Sequence, residues 1–295
     1  MTSEALPVSV VIPTIGRPAS LQSCLESLSR CDPGAEEIVI VDQSGDRAVA
    51  EVVARFGASR ARLVACSGRG RPRAVNAGLR EAACDVAMIT DDDCTVSSSW
   101  IATGWRHLAG RGRERVITGK VSPCGDPRAV PSTVEDPSPR DYTSSFDCGM
   151  LYAGNMACNP RAVLALGGFD ERIRPAAEDV DFAYRWLRAG NLLRYDPELI
   201  VWHHDWRSSA ELERLYVGYA HGVGVFCAKH LRQGDARVLL FVVRELYGGV
   251  RGIAARFVGG RPRWSDSRQG ALVGLPAGLR EGWRTFRSAA EPSRG

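Results

Sequence analysis

The stretch DVAMITDDDC (Asp85–Cys94) places three consecutive carboxylates directly after a short apolar run. The run DVAMIT is typical of a β-strand that is buried on both faces. Neighbouring carboxylates repel one another, and charged side chains are rarely buried without a partner. Asp91, Asp92 and Asp93 therefore need either a bound cation or basic side chains supplied by the rest of the chain.

Three similar apolar runs precede this one, and helical patterns separate them. The runs are VSVVI, EIVIVD and RLVAC at 8–12, 37–42 and 62–66, with helices expected near 19–30, 47–56 and 73–83. This alternation of strand and helix predicts a parallel, doubly wound sheet. Such sheets bind ligands beyond the carboxyl ends of their strands, so functional residues are expected directly after each run.

The pattern changes along the rest of the chain. It predicts a helix at 100–110, a strand at 115–121, a long loop at 122–150, a helix at 176–190 closed by Gly190, and a strand pair at 192–204. From about residue 208 onward it predicts helices without intervening strands.

The composition is that of a globular protein with 295 residues and nine cysteines. No cysteine forms a C-x-x-C pair or a zinc-finger spacing, so free thiols in a reducing compartment are expected. The N-terminus does not resemble a signal peptide, and no apolar run is long enough for a membrane span. We therefore expect a cytoplasmic protein.

Charge is distributed unevenly along the chain. Residues 236–295 contain eleven Arg and four acids, a net charge of +7, so the first 235 residues sum to −3 of the total +4. Arg237, Arg244 and Arg251 recur every seven residues beside apolar positions, as in a helix that lies on an anionic membrane surface. A packed helix with an exposed arginine face fits the pattern equally well. Aromatic residues are not interleaved with the basic ones, so nucleic acid is not an expected partner.

The aspartates after the fourth run have two interpretations. On an extended segment Asp91 and Asp93 would face the same side, where they could hold Mg²⁺ together with phosphate oxygens. Alternatively, Asp93 could cap the helix that begins near Trp100.

Two further groups of polar residues lie later in the chain. Glu178 and Asp179 stand at a helix start, where the helix dipole stabilises acids and where Asp179 could equally be a general base. His203 and His204 end a strand, and one of them could be a metal ligand or a phosphate contact.

Six segments occur in an order that resembles a family-2 glycosyltransferase of the GT-A fold. They run from about Val8 to His204 and read VVIPTIGRP, IVIVDQS, PRAVNAGL, TDDDC, AGNMACNPRAVLALGGFDE and EDVDFAYRW. The resemblance implies an α/β, Rossmann-like, mostly parallel central sheet flanked by helices, with a helical C-terminal extension. It implies a catalytic domain at 1–207, with a nucleotide-binding half at 1–95 and an acceptor half at 96–207, followed by a helical, basic extension at 208–295.

The resemblance also implies an activity. Members transfer a sugar from a nucleotide-diphosphate sugar to an acceptor hydroxyl with inversion, usually with Mg²⁺ or Mn²⁺. A hexosyltransferase of cell-surface glycan, polysaccharide or glycolipid synthesis is expected, with a glycan or lipid-linked acceptor. Together with the basic segment 236–295, this suggests a cytoplasmic enzyme that is peripheral at the inner face of the membrane.

By position, the resemblance assigns roles to individual residues. The nucleotide-sugar site would comprise Pro13, Thr14, Arg17, Asp42, Ser44, Arg73, Asn76, Gly78, Asp91, Asp92, Gly154 and Asn155. Asp42 would bind the base, while Gly154 and Asn155 would form the floor beneath the sugar. Gln43 stands where many members have a second acid, which leaves the base preference open.

The same comparison gives the metal and catalytic residues. Asp91 and Asp93 would bracket the ribose and the metal, with His203 or His204 as a further ligand. Asp179 matches the general base, and Glu178 lies beside it.

The sequence pattern disfavours two other functions. Sugar-nucleotide nucleotidyltransferases usually carry a glycine-rich loop with Arg and a Lys after the first strand, which PTIGRP lacks. A catalytically silent relative that binds a nucleotide or glycan is disfavoured by the presence of Asp91, Asp93 and Asp179.

Overall fold

The structure is a computed structural model that describes residues 4–57, 60–112, 114–125, 130, 133–204, 209–257 and 270–286. By its internal contacts the chain divides into two compact units. The first unit comprises Met1–Asp170 and Phe182–Trp206, and the second comprises Glu171–Asp181 and Arg207–Gly295. Helix α6 (Glu178–Arg188) begins in the second unit and ends in the first.

The first unit is built on one sheet of nine strands. They are β1 (Leu6–Thr14), β2 (Ala35–Asp42), β3 (Ala61–Ala65), β4 (Val86–Thr90), β5 (Cys94–Val96), β6 (Arg115–Cys124), β7 (Arg140–Tyr142), β8 (Asn155–Cys158) and β9 (Leu192–His204). The order in the sheet is β3-β2-β1-β4-β8-β6-β9-β5, and β7 pairs with β9.

The predicted parallel strands form one half of this sheet. β1 pairs in parallel with β2 and β4, and β2 pairs in parallel with β3. In the other half β9 is parallel to β6, while the remaining pairings are antiparallel. The sheet is therefore mixed as a whole, and its parallel half brings Thr14 beside Asp42 at the strand ends.

Helices flank the sheet, and the first four of them lie in the predicted positions. They are α1 (Pro18–Leu28), α2 (Arg47–Arg55), α3 (Arg71–Glu81), α4 (Trp100–Leu108) and α5 (Pro160–Ala165). The Asp46 side chain caps α2 by accepting the backbone N–H of Ala48, as is usual for an aspartate that precedes a helix. Apolar residues of β1, β2 and β4 pack against α1, α2 and α4 in one buried core. The predicted α/β fold with a central sheet flanked by helices is confirmed.

Two local predictions were wrong. Residues 192–204 form the single strand β9, not a strand pair, because a bulge opposite Gly119 and Lys120 lets β9 stay paired with β6 across Pro197. The predicted loop at 122–150 contains the end of β6, strand β7 and a short 3₁₀ helix (Ser145–Met150).

The second unit contains the predicted C-terminal helices. They are α7 (Ser209–Arg232), α8 (Leu239–Phe257) and α9 (Leu275–Thr285), with a 3₁₀ turn before α8 and a π-helical turn before α9. Among the described residues, no helix combines the length and the apolar character that a membrane crossing requires. All nine cysteines are free thiols.

Candidate active site

The carboxylates after β4 lie in a tight turn. The backbone N–H of Cys94 donates to the Asp91 carbonyl at 3.1 Å, which closes a turn over 91–94 and starts β5 directly. The extended segment predicted for these residues is therefore wrong. The helix-capping alternative is also wrong, because Ser99 occupies the N-cap of α4.

Arg17 neutralises two of the three carboxylates. This residue follows β1, and its guanidinium forms two hydrogen bonds with Asp92 and one of 2.8 Å with Asp93. The Thr14 hydroxyl, at the end of β1, donates to Asp92 Oδ2 at 2.6 Å. Asp92 is completely buried, so these partners replace the water that a buried charge loses.

Arg71 neutralises the third carboxylate. It is the first residue of α3, and its Nε donates to Asp91 Oδ1 at 2.8 Å. The opposite oxygen, Oδ2, lies 3.5 Å from the Tyr152 hydroxyl and faces Gly154. A Cβ atom added to Gly154 would lie only 2.3 Å from this oxygen. Glycine at 154 therefore lets the Asp91 carboxylate and the Tyr152 ring approach the backbone closely, and its role as the floor of a sugar site stays a prediction.

The electrostatics of the cluster follow from burial and pairing. Burial raises the pKa of Asp92 to about 6, against the opposing effects of Arg17 and Thr14, so the carboxylate is still mostly ionised at neutral pH. Burial acts to lower the pKa of Arg17, but Asp92, Asp93 and Asp91 outweigh it and raise that pKa. Three carboxylates and two guanidinium groups leave a net charge of −1, which suits a cation.

His203 completes the cluster. Its Nε2 lies 3.7 Å from Asp93 Oδ2, and its Nδ1 lies 3.4 Å from the Tyr152 hydroxyl. Pairing of β5 with β9 sets Cys94 opposite His203. Ligand atoms of Asp93, Cys94 and His203 all lie within 4.8 Å of one another, and all three residues are buried.

His204 points away from this cluster. Adjacent residues of a strand face opposite sides of the sheet, and the His204 ring bonds the Thr95 hydroxyl at 3.0 Å instead. Of the two histidines named from the sequence, only His203 lies beside the aspartates.

The donor set fits a divalent metal. Asp91 and Asp93 supply the oxygen atoms that Mg²⁺ and Mn²⁺ prefer, and an imidazole nitrogen additionally favours a transition metal. Cys94 is a fully buried thiol whose pKa is raised well above its usual value, first by burial and then by Asp93 and Asp91. Asp93 and His203 thus lie close enough to share a metal ion, and the metal role of Asp91 stays a prediction.

The loops after β1 and β2 form the neighbouring part of the site. Asp42 accepts hydrogen bonds from the Ser44 hydroxyl at 2.5 Å and from the backbone N–H groups of Ser44 and Gly45. Gln43 bonds Gly68 and Gly70 through its amide and so holds the loop after β3. The structure therefore brings Asp42 and Ser44 together, whereas Gln43 stabilises the loop after β3.

Several residues predicted to bind the nucleotide-sugar have a structural role. Their side chains form hydrogen bonds within the fold, or, at a glycine, the lack of a side chain permits close packing. The Asn76 amide exchanges two hydrogen bonds with the Phe169 backbone, and Gly78 allows α3 to pack on Val11. Asn155 is completely buried and bonds Trp100 and two backbone carbonyls of β6 and β9. Arg73 is exposed and reaches the Ser67 carbonyl at 3.4 Å. Their contacts with a nucleotide-sugar stay predictions.

Glu178 and Asp179 belong to the second unit. Both lie in the first turn of α6, where Glu178 is buried and Asp179 is half-buried. The backbone N–H of Val180 donates to Asp179 Oδ1 at 2.8 Å. A carboxylate at a helix N-terminus is stabilised in its ionised form.

Arg71, Tyr152 and Cys94 were not among the predicted site residues. The sequence offers a weak signal for Arg71, which lies in the basic loop SGRGRPR, and for Cys94, which adjoins the aspartates. Nothing in the local pattern points to Tyr152, which reaches Asp91 across 61 positions of the chain.

Part of the chain that carries this cluster is similar to a known protein family. Residues 9–140 match the model of glycosyl transferase family 2. The matched residues include β1–β4 and the aspartates of the turn at 91–94. The resemblance to this family that was inferred from the sequence is confirmed.

Relatives support this assignment. The pre-mycofactocin glycosyltransferases of two Mycobacterium tuberculosis strains, CDC 1551 / Oshkosh and ATCC 25618 / H37Rv, are 29% identical over 152 residues. The alignment covers 46% of this chain and 30% of each relative. The chain thus spans less than a third of the length of these relatives.

Solved structures establish the fold. A mannosyltransferase from Pyrobaculum calidifontis, in complex with GDP-Man and Mn²⁺, has a TM-score of 0.60 over 97% of this chain and 86% of its own. GalNAc-T7, with UDP, GalNAc and Mn²⁺, has a TM-score of 0.57 over 75% of this chain and 48% of its own. Each is 18% identical to this chain. The fold is the predicted GT-A fold.

We expect the Arg17→Met substitution to destabilise the protein strongly. It leaves the buried Asp92 without its guanidinium partner, and breaking a buried ion pair typically costs about 3–5 kcal/mol. Urea unfolding of the full chain measures this free energy. The control is Arg47→Met, which removes the exposed i,i+4 pair with Glu51 and should change little. Equal stability of the two variants would contradict the counter-ion role of Arg17.

Proposed function

We propose that this protein is an inverting, metal-dependent glycosyltransferase that uses a nucleotide-diphosphate sugar and an acceptor hydroxyl. The observation that carries the proposal is the convergence of Asp91, Asp93 and His203 at the strand ends of a family 2 domain. The two solved structures with the same fold contain a nucleotide or nucleotide-sugar together with Mn²⁺, which agrees with this chemistry.

The donor occupies the edge of the sheet formed by the ends of β1, β2 and β4. Asp42 and Ser44 bind the base of the nucleotide. The Ser44 hydroxyl donates to the Asp42 carboxylate, so the two side chains form one hydrogen-bonded unit. Asp91 takes the ribose and sugar side, where its carboxylate lies directly against the backbone of Gly154. Arg17 and Arg71 keep the aspartates compatible with an anionic diphosphate by supplying positive charge.

Asp91, Asp93 and His203 would hold the divalent ion, and the nitrogen ligand of the imidazole would favour Mn²⁺ over Mg²⁺. When bound, such an ion stabilises the charge that develops on the departing diphosphate. The Tyr152 hydroxyl, within 3.4 Å of His203 Nδ1, orients the ring, as partners of metal-bound histidines generally do.

Asp179 removes the proton from the acceptor hydroxyl. Its place in the first turn of α6 favours the ionised carboxylate that a general base requires. Attack by the acceptor oxygen forms the new glycosidic bond as the bond to the diphosphate breaks, which inverts the anomeric centre. The acceptor is a glycan or lipid-linked glycan of cell-surface glycan, polysaccharide or glycolipid synthesis, and the enzyme acts at the cytoplasmic face of the membrane.

We expect the His203→Ala substitution to weaken Mn²⁺ binding by about 10- to 100-fold, as loss of a metal-site residue typically does. Titration calorimetry with Mn²⁺ alone, and thermal shift with nucleoside diphosphates and Mn²⁺, measure the effect. His204→Ala is the matched control, since its ring contacts Thr95 on the other side of the strand. Equal loss in the two variants would contradict the metal role of His203.

The same screen separates the alternative functions. Metal-dependent stabilisation by a nucleoside diphosphate agrees with a glycosyltransferase. Preferential binding of a nucleoside triphosphate would favour a sugar-nucleotide nucleotidyltransferase, and nucleotide binding without donor turnover would favour a catalytically silent relative.

We expect the Asp179→Asn substitution to lower kcat by about 10²–10⁴-fold, the usual contribution of a general base. Donor affinity should be unchanged, because the carboxylate acts on the acceptor. Product formation gives kcat, and calorimetry gives the dissociation constant of the donor. Asp85→Asn, which changes an exposed carboxylate, is the control. A large loss of donor affinity in Asp179→Asn would show that its role is in binding.

The exposed face of α8 supports the predicted membrane contact. Six large apolar side chains on this helix are 46% to 64% exposed: Leu239, Leu240, Val243, Leu246, Tyr247 and Val250. Their spacing places them on one side of the helix. Arg237 and Arg244 are also exposed, beside one edge of this face, and the segment 236–295 carries a net charge of +7. We call these six residues the apolar face of α8.

The apolar face of α8 lies at the surface of an anionic bilayer. Its apolar side chains enter the acyl boundary, while the arginines attract the anionic headgroups, the usual division of labour in an interfacial helix.

We expect the double substitution Val243→Asp and Leu246→Asp to reduce binding to anionic vesicles by at least tenfold. Each change loses roughly 1.5–3 kcal/mol of apolar transfer free energy. Flotation with phosphatidylglycerol–phosphatidylcholine vesicles measures binding, and Leu63→Asp, at an exposed apolar position of β3, is the control. Absence of binding by the wild-type protein would contradict the contact, and a concentration-dependent dimer lost in the double variant would assign the face to a second copy.

A further inference from the structure

The segment that carries the proposed base is grouped with the C-terminal helices. Although Glu171–Asp181 lies near the middle of the chain, its contacts place it in one compact unit with Arg207–Gly295. Glu178 and Asp179 lie near the end of this segment. Four kinds of contact within the unit hold it.

The first is a close approach of two backbones at α7. A Cβ atom added to Gly222 would lie 2.1 Å from the Ala176 carbonyl oxygen, and one added to Gly218 would lie 3.0 Å from the Pro175 side chain. No real side-chain carbon tolerates the first distance. Glycine at 222 therefore lets the segment rest directly on α7.

The second is a buried ionic cluster at the end of the segment. Asp181 is completely buried, and its Oδ1 lies 2.7 Å from Lys229 Nζ and 2.9 Å from His230 Nε2, both on α7. Removing one member of a buried pair exposes the protein to a large desolvation penalty. This cluster fixes the first turn of α6, two residues beyond Asp179.

The third is apolar packing, and the fourth is a ring contact with the residue that follows α9. Ile173 and Ala177 pack with Val225 and Phe286 in a small core. The Arg172 guanidinium lies 4.3 Å from the centre of the Phe286 ring, within cation–π range.

The backbone between these contacts is strained. Ala177 has a φ of 70°, a conformation that costs a non-glycine residue on the order of 1–3 kcal/mol and persists only where its surroundings enforce it. This residue immediately precedes Glu178 and Asp179. The conformation of Ala177 therefore affects the direction in which the Asp179 side chain leaves the backbone.

We propose that α7, through Gly222 and the Lys229–His230 pair, positions Asp179 for catalysis. Gly222 and Asp181 are positioning residues: they act on the reaction only through the conformation of the segment 171–181. The proposal rests on the proposed function of Asp179 as the base. It assigns the C-terminal unit a role in turnover that is separate from donor binding, which the family 2 domain performs.

The central test is Gly222→Ala in the full-length chain. The added carbon displaces the Ala176 backbone, and a displacement of about 1 Å at a catalytic group can cost roughly 10²-fold in rate. We expect a fall of this size in kcat and an unchanged donor dissociation constant. Gly57→Ala is the matched control, because its added carbon meets nothing within 4 Å. Loss of donor affinity along with kcat, or an unchanged kcat, would overturn the proposal.

A double-mutant cycle shows whether Gly222 acts through Asp179. If it does, Gly222→Ala combined with Asp179→Asn should be no slower than Asp179→Asn alone, because the misplaced group is already inactive. Multiplied losses in the double variant would mean an independent, structural effect and would overturn the proposal.

Further variants are needed if Gly222→Ala does not fold or if Asp179→Asn keeps full turnover. If Gly222→Ala does not fold, Asp181→Asn and Asp181→Ala replace it, and the asparagine, which keeps the shape and a hydrogen-bonding oxygen, should retain more of the kcat. Equal kcat values in these two variants would overturn the positioning role. Full turnover by Asp179→Asn would instead refute the base assignment itself, which distinguishes the failure of the proposed function from the failure of this inference.

Discussion

The ion pairs of Arg17 and Arg71 with the three aspartates after β4 are the constraint on which the site depends. Without them, three carboxylates in one turn would repel one another in a place where one of them has no access to water. With them, the cluster keeps a single surplus negative charge. That surplus is large enough to attract a divalent cation and small enough to let an anionic diphosphate approach.

The same constraint explains how the sheet and the site are joined. Arg17 follows β1, Arg71 opens α3, and His203 ends β9, so the aspartates can be satisfied only when these three elements are assembled. The pairing register of β5 and β9 decides which histidine lies beside the aspartates. Since β5 pairs antiparallel to β9 with Cys94 opposite His203, a slip of one residue would turn His203 to the other face of the sheet, away from the aspartates.

The second unit groups the segment with the proposed base and the C-terminal helices. Family 2 similarity ends at residue 140, yet the segment with the proposed base packs on α7 and next to Phe286. A buried aspartate with two basic partners and a strained alanine occur there within five residues. Strained backbone and buried ions are stabilised only by specific surroundings. The C-terminal helices provide those surroundings and therefore stabilise the conformation of the segment with the proposed base.

Much of the fold was predictable from the sequence, because the periods of apolar residues report directly which faces of β1–β4 and α1–α3 are buried. The presence of carboxylates at a strand end was equally plain, and the order of motifs identified the family. The partners of those carboxylates were not predictable, since Arg17 meets them across about 75 positions of the chain. Local pattern also gave no sign that Asn76 and Asn155 would bond backbone groups, because an amide serves a ligand or a backbone equally well. Sequence thus determined which elements form and which end of the sheet carries the candidate site. Only the tertiary structure decided which arginines and which histidine lie beside the aspartates, and which helix holds the segment with the proposed base, because those choices depend on contacts between residues that are distant along the chain.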